Sequence, residues 1–262
     1  MKINMRNNNW TVILSTVIIY YLLAFVGFSI LSRFGIYYNG SEIHIYAIPM
    51  MVVISLYVYF INGKLLFRKE DFLPRKENLL LFLIPYIVIA ATLLSIAETI
   101  VMKRSLPDVL CMALLTFLIG VSEEGMFRLF ILKDCNDSLK KKVLLYAVSV
   151  ITFGALHMMN VGGGLAPYDA FIQSVNAMSF GLIAGFLFLR TGNISAMIFW
   201  HMHFDFDIFA LQEGIYRANT LLGLAVEIIL IISLVLTVLQ RIMSFVKKTR
   251  ASRNESGKKL SV

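Results

Sequence analysis

The sequence predicts an all-α, polytopic integral membrane protein of about eight transmembrane helices with both termini cytoplasmic. Three observations predict it. The first is apolarity: 58% of the 262 residues are hydrophobic and 15% charged, with a mean hydropathy of +0.77. A soluble domain carries about 25% charged residues, so a chain of this composition has too little polar surface to face water. The second is the length of the apolar runs, which match the ~17–25 residues a helix needs to cross a bilayer. The third is the asymmetry of Lys and Arg between alternate loops.

Taken in order, the first run, residues 10–31, follows Lys2 and Arg6 as the core of a signal peptide would. It exceeds the ~7–15 apolar residues of such a core and no small-residue cleavage site follows, so it reads as a retained span. The others are 43–61, 79–102, 107–132, 143–159, 171–189, 194–211 and 221–246. Each is apolar around its whole circumference, as a lipid-embedded helix is and an amphipathic surface helix is not. No internal repeat, and no pair of interrupted spans in matching positions of two halves, is visible. One membrane-embedded domain, 1–246, therefore suffices, followed by a basic, disordered cytoplasmic tail, 247–262.

An even number of spans puts both termini on one face, and the charges agree. Lys2 and Arg6, loops 64–76 and 133–142, Arg190 and the tail place their basic residues on that face. The other face holds Arg33, Lys103, Arg104 and Arg217, and a glycine-rich loop, 160–170, without Lys or Arg. This is the positive-inside pattern. The formal charge of +8 thus points to an anionic leaflet and the lipid bilayer as partner, not to nucleic acid. The abundance of Lys, Asn and Ile and the short tails suggest a bacterial plasma membrane. The two cysteines, Cys111 in an apolar run and Cys135 in a polar loop, predict no disulfide.

Against this background the ionisable residues inside spans stand out, because each costs roughly 2.5–3.5 kcal/mol at a helix centre on insertion scales. The fourth span carries Ser122, Glu123, Glu124 and Arg128, the fifth Phe153 and His157, and the seventh His201, His203, Asp205 and Asp207. Glu124 and Arg128 are four apart and share a helix face; Glu123 points about 100° away, toward another helix. Phe153 with His157, His201 with Asp205, and His203 with Asp207 repeat the same spacing. Structural readings compete: Glu124 with Arg128 as a buried pair, His203 as a helix–helix contact, Asp207 near the outer boundary in water. Three separate spans each spending an ionisable group on packing is harder to justify for Glu123, His157 and His201.

The ordered set Glu123-Glu124-x-x-x-Arg128, Phe153-x-x-x-His157 and His201-x-x-x-Asp205 resembles the three motifs of the CAAX protease and bacteriocin-processing (CPBP, or Abi) family of intramembrane metalloproteases. The resemblance covers about residues 106–211. It implies hydrolysis of a peptide bond in a membrane-bound or lipidated peptide or protein. Glu123 would be the general base, His157 would hold and polarise water, and His201 with Asp205 would orient substrate or meet the oxyanion. Glu124, Arg128 and Phe153 would support them. A buried carboxylate is a sensible base for water, and a developing oxyanion needs donors.

Asp205 needs care: the family has Asn or Asp there, and an ionised aspartate accepts hydrogen bonds without donating. Protonation, orientation of His201 and metal binding are all compatible with it. Glu123, His157 and His201 are candidate ligands for Zn²⁺, and a metal-free glutamate mechanism stands beside that reading. Other protease signatures are absent, including the zinc helix His-Glu-x-x-His and the Gly-x-Ser-x-Gly nucleophile turn. Two further functions compete: a non-proteolytic member acting as a bacteriocin self-immunity protein or a membrane scaffold for a sensor kinase, and a proton-coupled transporter.

Overall fold

A computed structural model describes residues 10–66, 105–133 and 138–212, with isolated helical positions between 90 and 100 and between 228 and 235. The expected spans 79–102 and 221–246, the loop containing Cys135 and the tail lie largely or wholly outside the described residues. Among those described, every regular element is helical. Five stretches are long and apolar enough to cross a membrane: Trp10–Arg33, Ile48–Leu65, Leu106–Phe130, Leu139–Gly163 and Pro167–Thr191. The chain is a polytopic α-helical membrane protein.

Helix α1, Trp10–Arg33, is followed by Gly35 at φ 80°, a left-handed turn that glycine adopts without a Cβ clash. The single expected span 43–61 is in fact two pieces, α2 (Ile43–Tyr46) and α3 (Ile48–Asn62), meeting at Ala47. Pro49 sits in the first turn of α3, where its missing N–H costs no helical bond. Helix α4, Leu106–Glu124, starts on Ser105, whose Oγ accepts from the Asp108 N–H at 3.3 Å, and runs into a π-helical turn, Gly125–Phe130. Ser138 caps α5, Leu139–Leu156, in the same way. A 3₁₀ turn, His157–Gly163, then closes that span. Helix α6, Pro167–Thr191, stops at Gly192 with φ 65°, and α7 spans Ile194–Gln212. The four ionisable side chains of α7 make it less apolar than the other long helices.

Helix α4 is the hub, packed along α7 on one flank and α3 on another, while α5 runs beside α6. Small residues permit the closest approaches, as in membrane bundles generally. A Cβ on Gly120 would lie 2.6 Å from the Ile198 carbonyl oxygen of α7, and one on Gly154 would lie 2.8 Å from the Ser174 carbonyl oxygen of α6. The core runs through Tyr20, Ile54, Phe127, Phe153 and Leu187. On the outer surface of α1, Leu14, Ile18 and Leu22 are about half exposed, which suits a lipid-facing wall.

Candidate active site

The three motifs meet. Glu123 ends α4, His157 opens the 3₁₀ turn after α5, and Asp205 lies on α7, yet all three line one cavity of about 240 Å³. Helical spacing left this convergence open; packing of α4 against α7, and of the 3₁₀ turn against α1 and α6, produces it.

The electrostatic centre is Glu124, fully buried like Arg128. Its Oε2 stands 3.1 Å from Arg128 Nε, confirming the i, i+4 pair. Its Oε1 lies 2.8 Å from His201 Nδ1, a contact across 77 residues of sequence. A carboxylate held by arginine only accepts, so His201 donates from Nδ1 and its Nε2 turns toward the cavity side. There Nε2 stands 3.7 Å from Glu123 Oε2 and 3.5 Å from Asp205 Oδ2, ion-pair distances too long for hydrogen bonds.

Phe153 is the platform beneath this cluster. The Arg128 guanidinium carbon sits 4.0 Å from the centre of its ring, a cation–π contact that matters more where water is absent. The same ring meets the His157 and His201 imidazoles edge-on, at 5.5 and 5.8 Å between centroids. Phe180 of α6 covers the other face of His201 at 5.0 Å and stacks on Trp200 at 4.4 Å. Two polar atoms remain buried without a hydrogen bond at the closed end of the cavity: Glu123 Oε2 and His157 Nε2.

The π turn positions the cluster. An i→i+5 turn disturbs the regular ladder and is a common feature of functional sites. Two of its carbonyls are taken by side chains from neighbouring helices. Asn62 Nδ2 donates to Gly125 O at 3.0 Å, and Ser149 Oγ donates to Phe127 O at 2.7 Å. On α4 itself Ser122 accepts from the Tyr20 hydroxyl at 3.1 Å, tying α1 to the motif.

Some site features were not foreseen. Tyr38, Asn160 and Gln173 line the same cavity and form a chain. Asn160 Nδ2 donates to Gln173 Oε1 at 2.8 Å and Gln173 Nε2 donates to the Tyr38 hydroxyl at 2.7 Å. Asn160 lies three residues beyond His157, the one hint the sequence offered. Tyr38 comes from a loop 119 residues upstream of His157, and nothing local marks it.

His203 and Asp207 stay apart from this site. Their side chains pair at 3.6 Å and neither lines the cavity. The Asp207 side chain is 14% exposed. The interruptions at Ala47, at the π turn and at the 3₁₀ turn correct the expectation of unbroken spans. They arise from Pro49 and from tertiary contacts with no sequence signature.

The named metal ligands do not assemble. Among the described residues no three His, Cys, Asp or Glu side chains form a group that could hold a metal ion. His201 Nδ1 is occupied by Glu124, and His157 faces Phe153 and the cavity without joining His201 and Glu123 as a ligand set. The side chains as arranged do not fit Zn²⁺.

Residues 105–206 match the family model described as type II CAAX prenyl endopeptidase, Rce1-like. No curated protein and no solved structure matches the chain. The matched stretch begins at the cap of α4 and ends one residue beyond Asp205, so it contains all three motifs and the packed core around them. Over that stretch, and over that stretch alone, the chain is similar to the type II CAAX prenyl endopeptidases.

Proposed function

We propose that the protein is an intramembrane endopeptidase that cuts a membrane-bound or lipidated peptide or protein with water activated by Glu123. The observation that carries the reading is the convergence of Glu123, His157 and Asp205 on one cavity, with Glu123 Oε2 and His157 Nε2 buried and without a hydrogen bond. Buried polar atoms are normally satisfied, and a water between a carboxylate and an imidazole would satisfy both.

In the proposed reaction Glu123 takes a proton from that water as its oxygen adds to the peptide carbonyl carbon. The carbonyl π electrons move to oxygen, and the resulting oxyanion meets His201 in its doubly protonated form, which donates from Nε2 while Nδ1–H stays on Glu124. Glu123 then returns the proton to the amide nitrogen as the C–N bond breaks, leaving one carboxyl and one amino product. His157 holds the water, and His201 faces the reacting groups through Nε2. Glu124, Arg128 and Phe153 are positioning residues: Glu124 fixes the ring of His201, Arg128 balances Glu124, and Phe153 sets the spacing of both. No step is routed through a metal, since the candidate ligands do not form a set. We place the enzyme in a bacterial plasma membrane on its composition and loop charges.

The test is cleavage of a panel of membrane-inserted and lipidated peptides by detergent-purified protein, with Glu123→Ala protein as control. Cleavage products present with the native chain and absent with the variant support the proposal. A panel cleaved equally by both, or by neither, refutes it.

A further inference from the structure

We propose that the peptide reaches Glu123 from the membrane face opposite the basic loops, so that the bond to be cut lies in the non-cytoplasmic half of the bilayer. This rests on the endopeptidase reading and names the side from which its substrate comes.

The first argument is where the cavity lies along the helices. Contacts set the directions of the helices. Tyr57 of α3 bonds Thr16 of α1, and Asn62 at the end of α3 bonds Gly125 at the end of α4. Gly120 of α4 meets Ile198 near the start of α7, and Gly162 before α6 meets Ser29 of α1. The second half of α1, the first half of α3, the first turns of α6 and the second half of α7 therefore share one end of the bundle. The cavity is walled by those segments: Ala24 and Phe28, Met51, Gln173, and Ile208. Along α4 its lining stops at Glu123 and includes nothing from the π turn that follows. Toward the other end Phe127, Leu129 and Phe130 are buried, and Asn62 bridges α3 to the backbone of Gly125. The site is therefore a pocket with a floor at Glu123 and a mouth at the end of the bundle that holds Asn39 and Asp169, both exposed.

The second argument is charge. Lys64 just beyond α3, Lys140, Lys141 and Lys142 in the first turn of α5 and Arg190 in the last turn of α6 all sit at the floor end, against Arg33 in the last turn of α1 at the mouth end. Among the described residues no Lys or Arg lines the cavity. Basic loops stay on the cytoplasmic face, which makes the mouth non-cytoplasmic.

The third argument is the chemistry of the wall. Within the Asn160–Gln173–Tyr38 chain Tyr38 accepts and Asn160 donates, so among the described residues the hydroxyl proton of Tyr38 and the carbonyl oxygen of Asn160 are not used by it. One donor and one acceptor side by side on this wall match the C=O and N–H of an extended backbone. The substrate class that fits is a peptide whose cleavage site is carried to the outer leaflet. An exported peptide with its leader, or the outer flank of a membrane span, qualifies. A lipidated tail confined to the cytoplasm does not.

Accessibility tests this without needing a substrate. In a chain carrying Cys111→Ser and Cys135→Ser, single cysteines are introduced as Asp169→Cys at the mouth, Gln173→Cys on the wall and Lys64→Cys at the floor end. A negatively charged, membrane-impermeant methanethiosulfonate is applied to intact cells and to inside-out vesicles. The proposal expects Asp169→Cys and Gln173→Cys to react fully in intact cells, and Lys64→Cys only in inside-out vesicles. Asn39→Cys replaces the mouth variant if Asp169→Cys does not accumulate in the membrane. Reaction of Gln173→Cys from the inside-out face alone, or from neither face, overturns it. Because labelling does not depend on turnover, an outwardly open but inactive protein counts against the endopeptidase reading only. An active protein labelled from the cytoplasmic face counts against this inference only.

Discussion

At the scale of single residues, the two adjacent glutamates have different surroundings and so should fail differently. Glu123 has a carboxylate oxygen facing the cavity without a hydrogen bond. Replacing it by Gln keeps the shape and removes the base, so Glu123→Gln should cut turnover by at least ~10²-fold while yield and melting temperature in detergent stay near those of the native chain. Arg128 is fully buried against Glu124. Arg128→Ala strands that carboxylate, a loss of about 3–5 kcal/mol for a buried pair, and should appear first as reduced folded protein in the membrane. Equal losses of folded protein in the two variants would sink the division of roles. Asp205→Asn should retain or raise turnover, since an amide can donate where a carboxylate cannot, and prolonged chelation should leave activity intact. Zinc near one per chain in active protein, lost together with activity on chelation, would reverse that expectation. The pairing of Glu124 with Arg128 was legible because helical spacing alone makes it. The bond from Glu124 to His201 was not, because it spans two helices whose approach depends on Gly120 meeting the backbone of Ile198.

At the scale of elements, the site depends on two places where helices depart from regularity or from normal spacing. The π turn has its Phe127 carbonyl held by Ser149 Oγ from α5. Ser149→Ala should cost about 0.6–1.7 kcal/mol, the range for hydrogen bonds between membrane helices, and lower the melting temperature without altering the cavity walls. Gly120 is more severe. A methyl group there would stand 2.6 Å from a backbone oxygen, so Gly120→Ala must push α4 and α7 apart. Both stability and turnover should fall, because His201 rides on the displaced helix. A Gly120→Ala protein with native melting temperature and native activity would contradict the close approach. Most helix bounds could be read from apolar length and from Ser or Pro at the starts, as at Ser105 and Ser138. The break at Ala47 and the turns at Gly125 and His157 could not. At the two turns, backbone groups such as Gly125 O and Gly163 O are satisfied by partners distant in sequence, and only the folded bundle brings those partners near.

At the scale of the whole molecule, the positive-inside pattern and the order of the helices make one joint claim about orientation. Basic residues cluster in loops 64–76 and 133–142 and in the tail, and α3 and α4 run in the same sense, with Asn62 at the end of one bonded to Gly125 at the end of the other. If the unseen stretches 79–102 and 221–246 each cross once, both termini share the basic face. Reporter fusions after Lys76, Lys142 and Lys248 should then all give cytoplasmic signals, and a fusion at Gly163 should give the opposite one. The Gly163 fusion is the decisive one, since it sits in the 3₁₀ turn that follows His157 and contacts Tyr38 through a backbone bond of 2.9 Å. It therefore reports the side of the cavity mouth as well as the parity of the spans. A cytoplasmic signal there, with cytoplasmic signals also at Lys142, would mean that α5 and its 3₁₀ turn do not cross the bilayer. In that case the convergence of His157 with Glu123 would have to arise in a fold other than an alternating bundle.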